Sequence, residues 1–150
     1  MRVHEICSRS VSHVRRDVSI LEAAHRMREE HVGDLIVVDE RAGRRVPVGV
    51  LTDRDIVVGI LARNADHVRM LDVGDVMTGR LVTAYEEEDL APVLRRMRTL
   101  DVRRLPIVDA EGSLTGVLSV DDVLPALSSE MADLAALVSH QAHRESDRRP

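Results

Sequence analysis

The feature that most constrains the fold of this chain is an internal repeat. The phrase GVLTDRD at 49–55 returns as GVLSVDD at 116–122, with a hydroxyl in the fourth place and an acid in the seventh. Upstream of these phrases, HVGDLIVVD at 31–39 is matched by DVRRLPIVD at 101–109. Similarity of this kind across most of a chain indicates two copies of one structural unit.

The spacing of the copies divides the chain into five segments. We predict repeat 1 at 1–62, a linker at 63–74 and repeat 2 at 75–127. Apolar residues recur at helical spacing in the next stretch, so we predict a C-terminal helix at 128–143. The last stretch, 144–150, is almost entirely charged or polar, and we predict a disordered tail there.

Within each copy, the pattern predicts a helix, two strands and a second helix. Ser19 and Asp89 stand where a helix N-cap belongs, and apolar residues follow each of them at helical spacing. The β-branched runs LIVVD and LPIVD predict buried strands, and the second helices open near Asp53 and Asp121. One such unit leaves a face of its sheet bare, whereas two units can cover both. The predicted fold class is α+β, with two pseudo-symmetric repeats packed sheet to sheet.

Composition excludes several classes of protein. The net charge is −5 and aromatic residues make up 1% of the chain, so we expect neither a basic surface nor a stacking platform for nucleic acid. All 21 basic residues are arginines, which excludes the lysine of a P-loop. The longest apolar run, at 57–62, is too short to cross a membrane, and the single cysteine, Cys7, fits a reducing compartment. We therefore predict a cytoplasmic protein with no nucleic-acid or membrane partner.

Each twin phrase places a hydroxyl and a carboxylate at the start of a helix. Thr52 and Ser119 end a predicted strand, and Asp55 and Asp122 follow three residues later in the first helical turn. Unpaired N–H groups at a helix start favour an anion, and a carboxylate can accept both hydroxyls of a ribose, so the combination suits a nucleoside phosphate. The same residues also suit a simpler role, in which the hydroxyls cap the helix and the acids stabilise its dipole.

The order of these motifs resembles a known family. DVMT at 75–78, VRRLPIVD at 102–109 and the twin phrases are similar to the tandem cystathionine-β-synthase (CBS) domain pair, or Bateman module, of the stand-alone bacterial type. The likeness covers about 5–127. It implies a homodimeric regulatory protein of signal transduction. It also implies an adenine nucleotide (AMP, ADP, ATP or NAD) in the cleft between the repeats and no catalytic cofactor.

The resemblance further implies two ligand sites, each combining the acid of one repeat with strand residues of the other. In the first site, Arg103 and Arg104 would reach the phosphates, whereas in the second Asp34 would put a negative charge near them. We therefore expect the first site to bind phosphorylated ligands more tightly. The first site comprises Thr52, Asp55, Leu81, Val82, Thr83, Arg103, Arg104 and Pro106. The second comprises Ser119, Asp122, Arg54, Val11, Ser12, His13, Asp34 and Ile36.

Two other functions fit the same sequence. One is a ligand-free dimerisation module, and the other is an enzyme that uses the repeat acids and histidines. The enzyme is the weaker alternative because no nucleophile and base form a recognisable constellation, and we predict no catalytic residue. We also predict no metal site, because no acid or cysteine completes the spacing of His140 and His143.

Dimerisation is expected through the helices that follow the twin phrases. Apolar residues on these helices would form a patch of the kind that usually marks association. An unidentified regulated protein would read the state of the dimer. The helix residues on which this expectation rests are Ile56, Ile60, Val123 and Leu127.

Overall fold

The computed structural model describes the backbone of residues 1–146 and the side chains of residues 1–138. Each repeat contributes one three-stranded sheet, in which a short first strand runs parallel to the second and the second pairs antiparallel with the third. The third strands of the two sheets contact each other. The predicted α+β class and the arrangement of two sheets are confirmed.

Repeat 1 follows the predicted order of elements. Its first helix begins at Ser19, whose Oγ accepts a hydrogen bond from the backbone N–H of Glu22 at 3.2 Å, as expected of an N-cap. Its middle strand is central and buried at 35–38, which agrees with its β-branched run. The elements are β1 (His13–Arg15), α1 (Ile20–Glu30), β2 (Asp34–Arg41), β3 (Arg44–Thr52) and α2, π-helical over Asp55–Leu61 and α-helical over Ala62–Asn64.

The segment predicted as a linker contains helical turns. A 3₁₀ helix covers Ala65–Met70, and a short helix, α3, covers Val73–Val76. The side chains of Asp72 and Asp75 close a capping box at the start of α3. This polar box gives the stretch a local structure that its apolar pattern does not reveal.

Repeat 2 repeats the architecture with a shorter turn between its strands. Asp89 has the extended backbone of an N-cap, but its side chain makes no capping hydrogen bond. The elements are β4 (Ala84–Tyr85), α4 (Leu90–Thr99), β5 (Arg104–Val108), β6 (Leu114–Ser119) and α5 (Val120–Ser146).

Helix α5 corrects the predicted end of repeat 2. The second helix of the repeat and the separate C-terminal helix predicted at 128–143 are one continuous helix that passes through Pro125. A proline near the start of a helix removes a single backbone hydrogen bond, and the alanines and leucines that follow it favour helix. Residues 144–146 of the predicted tail end this helix, and 147–150 lie outside the described residues. Within 1–146, no helix has the length and apolar character needed to cross a membrane.

Two separate aliphatic cores lie under the two sheets. Tyr85, the only aromatic residue of the chain, is exposed. The first core contains Val14, Ile20, Ala23, Met27, Leu35, Val37, Leu51, Ile56, Ile60 and Val73. The second contains Val3, Cys7, Ala84, Leu90, Val93, Met97, Leu105, Ile107, Leu118 and Val123.

The chain around the start of each repeat packs on the core of the other repeat. Val3 and Cys7 belong to the second core, and Val73 belongs to the first. Backbone hydrogen bonds join Ser8 to Val117 in both directions at 2.9 Å. The repeats are therefore units of sequence, and each spatial unit borrows its leading segment from the other.

The glycine of each twin phrase makes this exchange possible. A methyl group on Gly116 would lie 2.9 Å from the carbonyl oxygen of Ser8 and 3.0 Å from Sγ of Cys7. On Gly49 it would lie 2.8 Å from the carbonyl oxygen of Thr78 and 2.9 Å from Sδ of Met77. Contacts this short leave no room for a side chain, so each phrase needs glycine in its first place.

Candidate functional site

Both twin phrases fold into reciprocal capping boxes. The backbone N–H of Thr52 donates to Oδ2 of Asp55 at 2.9 Å, and the N–H of Asp55 donates to Oγ1 of Thr52 at 3.1 Å. In repeat 2 the corresponding bonds between Ser119 and Asp122 are both 3.2 Å, and Oγ of Ser119 also donates to Oδ2 of Asp122 at 2.6 Å. The simpler, capping role of these residues is therefore present in the structure.

Capping leaves one oxygen of each carboxylate unused. Among the described residues, every hydrogen bond accepted by Asp55 or Asp122 goes to Oδ2, and none goes to Oδ1. Both side chains are half-buried, and each lines a cavity. Because the cap fixes the rotamer of the acid, Oδ1 is preorganised for a second partner. Capping and ligand binding are thus compatible roles for the same acid.

The larger cavity, here called the Asp55 cavity, has a volume of about 350 Å³. It lies between the start of α2 and the strands of repeat 2, and most of its wall is apolar. Val50, Val102 and Leu105 add to this wall. The residues predicted for the first site that line it are Thr52, Asp55, Leu81, Val82, Arg104 and Pro106.

The smaller cavity, here called the Asp122 cavity, has a volume of about 200 Å³. It occupies the equivalent place at the start of α5, against residues of repeat 1, and Val32 and Val117 complete its apolar wall. The residues predicted for the second site that line it are Ser119, Asp122, Val11, Ser12, Asp34 and Ile36.

His13, expected in the second site, and Thr83, expected in the first, lie outside both cavities. Successive side chains of an extended segment point to opposite faces, so the residue after Ser12 or Val82 turns away from the cavity. Their carbonyl oxygens accept hydrogen bonds from Nη1 of an arginine of the neighbouring helix. The distances are 2.6 Å from Arg26 to His13 and 3.0 Å from Arg96 to Thr83.

Two predicted arginines also lie outside the cavities. Arg54, expected in the second site, and Arg103, expected in the first, line the open cleft between the cavities, together with Asp53 and Asp121. Nη2 of Arg103 is 3.6 Å from Oδ1 of Asp121, and both side chains are largely exposed. These arginines occupy exposed positions at the start of a helix and just before a strand, so their long side chains extend into the cleft.

An ion pair joins the two cavities. Nη1 of Arg104 donates to Oδ1 of Asp34, and both residues line the Asp55 cavity, the Asp122 cavity and the open cleft. The two residues occupy equivalent positions, at the start of β2 and of β5. The sequence assigned them to different sites, whereas the structure places them in contact at the boundary of both.

Sequence reasoning missed four polar residues in the cavity walls. Thr78 and Arg80 line the Asp55 cavity, and Ser8 and Ser10 line the Asp122 cavity. Each pair belongs to the segment exchanged between repeats. EICS at 5–8 aligns with DVMT at 75–78, and this alignment contains the signal, because it places the two segments in equivalent positions.

The titratable groups with shifted pKa values are Cys7, Asp39 and Glu88, and none of the three lines either cavity. Side-chain hydrogen bonds from Arg96 lower the pKa of the Glu88 carboxyl, and the same arginine holds the carbonyl oxygen of Thr83. Side-chain hydrogen bonds from Arg16 likewise lower the pKa of Asp39. Burial raises the pKa of the Cys7 thiol beneath Gly116, which disfavours the reactive thiolate.

Comparison with known protein families finds one domain twice along this chain. The CBS domain model matches residues 3–62 and 73–129. The CBS domain-containing protein YhcV of Bacillus subtilis is 33% identical over 141 residues, which cover 93% of this chain and 96% of that protein. An uncharacterised Methanopyrus kandleri protein, MK0525, is 29% identical over 122 residues, and the match spans 60% of its length.

Two solved structures are also similar to this chain. The CBS domain pair of protein MJ0100, in complex with 5′-methylthioadenosine and S-adenosyl-L-methionine, has a TM-score of 0.72 at 25% identity and covers 87% of this chain and 98% of its own. CBSX2 from Arabidopsis thaliana, in complex with AMP, has a TM-score of 0.72 at 26% identity with the same coverage. The matches extend over both repeats. The chain therefore belongs to the CBS domain family and contains a tandem pair of its domains.

Proposed function

We propose that this CBS pair is a cytoplasmic regulatory protein, without catalytic activity, that binds an adenine nucleotide in the cavities between its repeats. The observation that carries the proposal is the preorganised acid of each capping box, with Oδ1 unused and a cavity beside it. The complexes of similar pairs with adenosine derivatives and with AMP support the same class of ligand.

The Asp55 cavity suits a nucleoside phosphate in each of its parts. Oδ1 of Asp55 can accept a ribose hydroxyl, and the open start of α2 favours a phosphate nearby. Leu81, Val82 and Pro106 offer aliphatic surface to a base. The volume of about 350 Å³ falls at the lower end of the ~300–1,000 Å³ typical of small-molecule sites.

Regulation would follow from the position of the ligand between repeats. A nucleotide in the Asp55 cavity contacts Asp55 of one repeat and Pro106 of the other, so it favours the arrangement of repeats that makes both contacts. A ligand with differential affinity shifts the population toward that arrangement. An unidentified partner would then read the change.

We propose a homodimer as the assembly, through a face that keeps Leu127 alone of the four residues expected. Ile56, Ile60 and Val123 are buried in the cores, because these helices turn that side toward their sheets. Five of the exposed apolar side chains of α5 instead follow one another at alternating spacings of three and four residues, as in a coiled-coil seam, and exposed Leu137 lies beside this stripe. The seam residues are Leu124, Leu127, Met131, Leu134 and Val138.

A second copy is the occupant that this seam fits best. Met131, Leu134 and Val138 are 71%, 63% and 68% exposed, and apolar patches of several hundred Å² usually mark association. A regular heptad spacing is self-complementary, so the same stripe on another copy can pack against it. Light scattering at micromolar concentration should give twice the mass of the chain.

Calorimetric titration with AMP, ADP, ATP and NAD tests the nucleotide proposal. We expect saturable binding of at least one of them, accompanied by a rise in melting temperature. Absence of heat and of thermal stabilisation for all four, in a folded dimer, would instead support a ligand-free dimerisation module. In that alternative, the acids of the twin phrases serve only to cap the helices that follow them.

A further inference from the structure

The two cavities differ in charge at equivalent positions. The strand residue that faces the Asp55 cavity from repeat 2 is Arg104, and its equivalent in repeat 1 is Asp34. In the exchanged segments, Arg80 lines the Asp55 cavity where Ser10 lines the Asp122 cavity. Asp34 and Arg104 border both cavities, so Arg80 is the cation that the Asp55 cavity has and the Asp122 cavity lacks.

The only cation in the described wall of the Asp122 cavity is already engaged. Arg104 reaches that cavity, but its Nη1 donates to Asp34, whose side chain is 22% exposed. The other charged group of the wall is Asp122, so two carboxylates face one shared guanidinium. The Asp55 cavity has the same ion pair and gains Arg80, which makes no hydrogen bond or ion pair within the described residues.

Size points in the same direction as charge. The Asp122 cavity, at about 200 Å³, is smaller than the Asp55 cavity, at about 350 Å³. A ligand that lacks a phosphate chain needs less room and no counter-charge. The two independent observations therefore favour different ligands in the two cavities.

We propose that the Asp122 cavity selects a nucleoside whose 5′ substituent is neutral or cationic, while the Asp55 cavity takes the phosphorylated nucleotide. This rests on the proposed function and specifies the ligand class of its second site. The Asp34–Arg104 pair couples the two. When a phosphate in the Asp55 cavity draws Arg104 away, Asp34 is left unpaired and strengthens the preference of the Asp122 cavity for a cation.

The expected selectivity is large enough to measure. A carboxylate in the cavity wall, at an effective dielectric constant near 20, changes the affinity for a like-charged ligand on the order of tenfold to a hundredfold. Solvent at the mouth of the cavity reduces this, so we expect a preference of about tenfold for a neutral over a phosphorylated nucleoside. A cationic 5′ group should extend the preference further.

The test compares three ligands of nearly the same shape in the Asp55→Ala variant, which disables the larger cavity. Adenosine and 5′-amino-5′-deoxyadenosine should bind at least tenfold more tightly than AMP. Adding Asp34→Asn should remove most of this discrimination. Asp133→Asn, which removes an exposed acid of α5 outside the cavities, should leave it intact.

The outcomes separate the two proposals. Equal affinities of the Asp55→Ala variant for AMP and adenosine, or selectivity unchanged by Asp34→Asn, overturn the charge assignment while leaving nucleotide binding in place. Failure of the unmodified chain to bind any of these three ligands, and also ADP, ATP and NAD, overturns the proposed function itself. If Asp55→Ala does not fold, Asp55→Asn keeps the capping box, because its amide oxygen can still accept the N–H of Thr52, and the same comparison applies.

Discussion

Replacement of Gly116 by alanine should detach the leading segment of the chain from the second core. The new methyl group would lie 2.9 Å from the carbonyl oxygen of Ser8 and 3.0 Å from Sγ of Cys7. One of these neighbours is backbone, so it cannot rotate away, and the two 2.9 Å hydrogen bonds between Ser8 and Val117 must lengthen. Overpacking of this kind costs about 1–3 kcal/mol.

The chain provides its own reporter and its own control for this experiment. Cys7 is the only cysteine and is buried beneath Gly116, so its labelling by a thiol reagent reports the opening of the segment. A cost of about 1–3 kcal/mol predicts labelling roughly 5- to 150-fold faster than in the unmodified protein. Gly59 lies within α2, and a methyl group added there would meet nothing within 4 Å beyond the backbone of its own helix. Gly59→Ala should therefore leave labelling unchanged and stabilise the helix by up to about 1 kcal/mol.

The outcome that contradicts this reasoning is specific. Two results together would contradict it: Cys7 is labelled no faster in Gly116→Ala than in Gly59→Ala, and both variants unfold at the urea midpoint of the unmodified protein or at a higher one. The close approach of the leading segment to β6 would then not be the reason for glycine at position 116. Slower labelling of Gly116→Ala would contradict it even more directly.

Three further predictions test the site, the assembly and the pH response. Asp55→Ala should weaken AMP binding about tenfold to a hundredfold through the lost ribose contact, and an unchanged dissociation constant in the folded variant would refute the ribose assignment. Leu134→Glu should convert the dimer to a monomer in light scattering while Ala132→Glu, outside the seam, does not, and a dimeric Leu134→Glu variant would exclude the seam. The lowered pKa of Glu88 means that its stabilising contribution is present at neutral pH and disappears as the carboxyl protonates below about pH 4. The difference in urea midpoint between Glu88→Gln and the unmodified protein should therefore shrink below that pH, and a constant difference would contradict the prediction.

The sequence predicts the element order because the duplication tests each assignment twice. A helical spacing seen after Ser19 returns after Asp89, and the strands LIVVD and LPIVD occupy matching positions. The same duplication identifies most residues of the cavity walls, because the acid of the twin phrase and the strand residues opposite it occur at matching positions in both repeats.

What the sequence does not contain is the choice between equivalent partners. EICS and DVMT align, but nothing in either says on which sheet it packs. On α2, Ile56 and Ile60 recur at a spacing of four, and so do Val57 and Leu61, so periodicity alone cannot say which pair faces the core. The ion pair of Asp34 with Arg104 was missed for the same reason, because it is a contact between the two copies rather than within one.

The exchange of leading segments has a consequence for the ancestry of the chain. A gene encoding a single repeat would yield a product whose own core lacks its covering segment. Two such products would have to trade their first residues, each closing the core of its neighbour, as in a domain-swapped dimer. Fusion of two copies head to tail would turn that intermolecular trade into an intramolecular one, at a much higher effective concentration. On this view the chain is a tethered dimer of two repeats. Because each repeat is always made together with the one that completes its core, the charges of the two repeats could diverge.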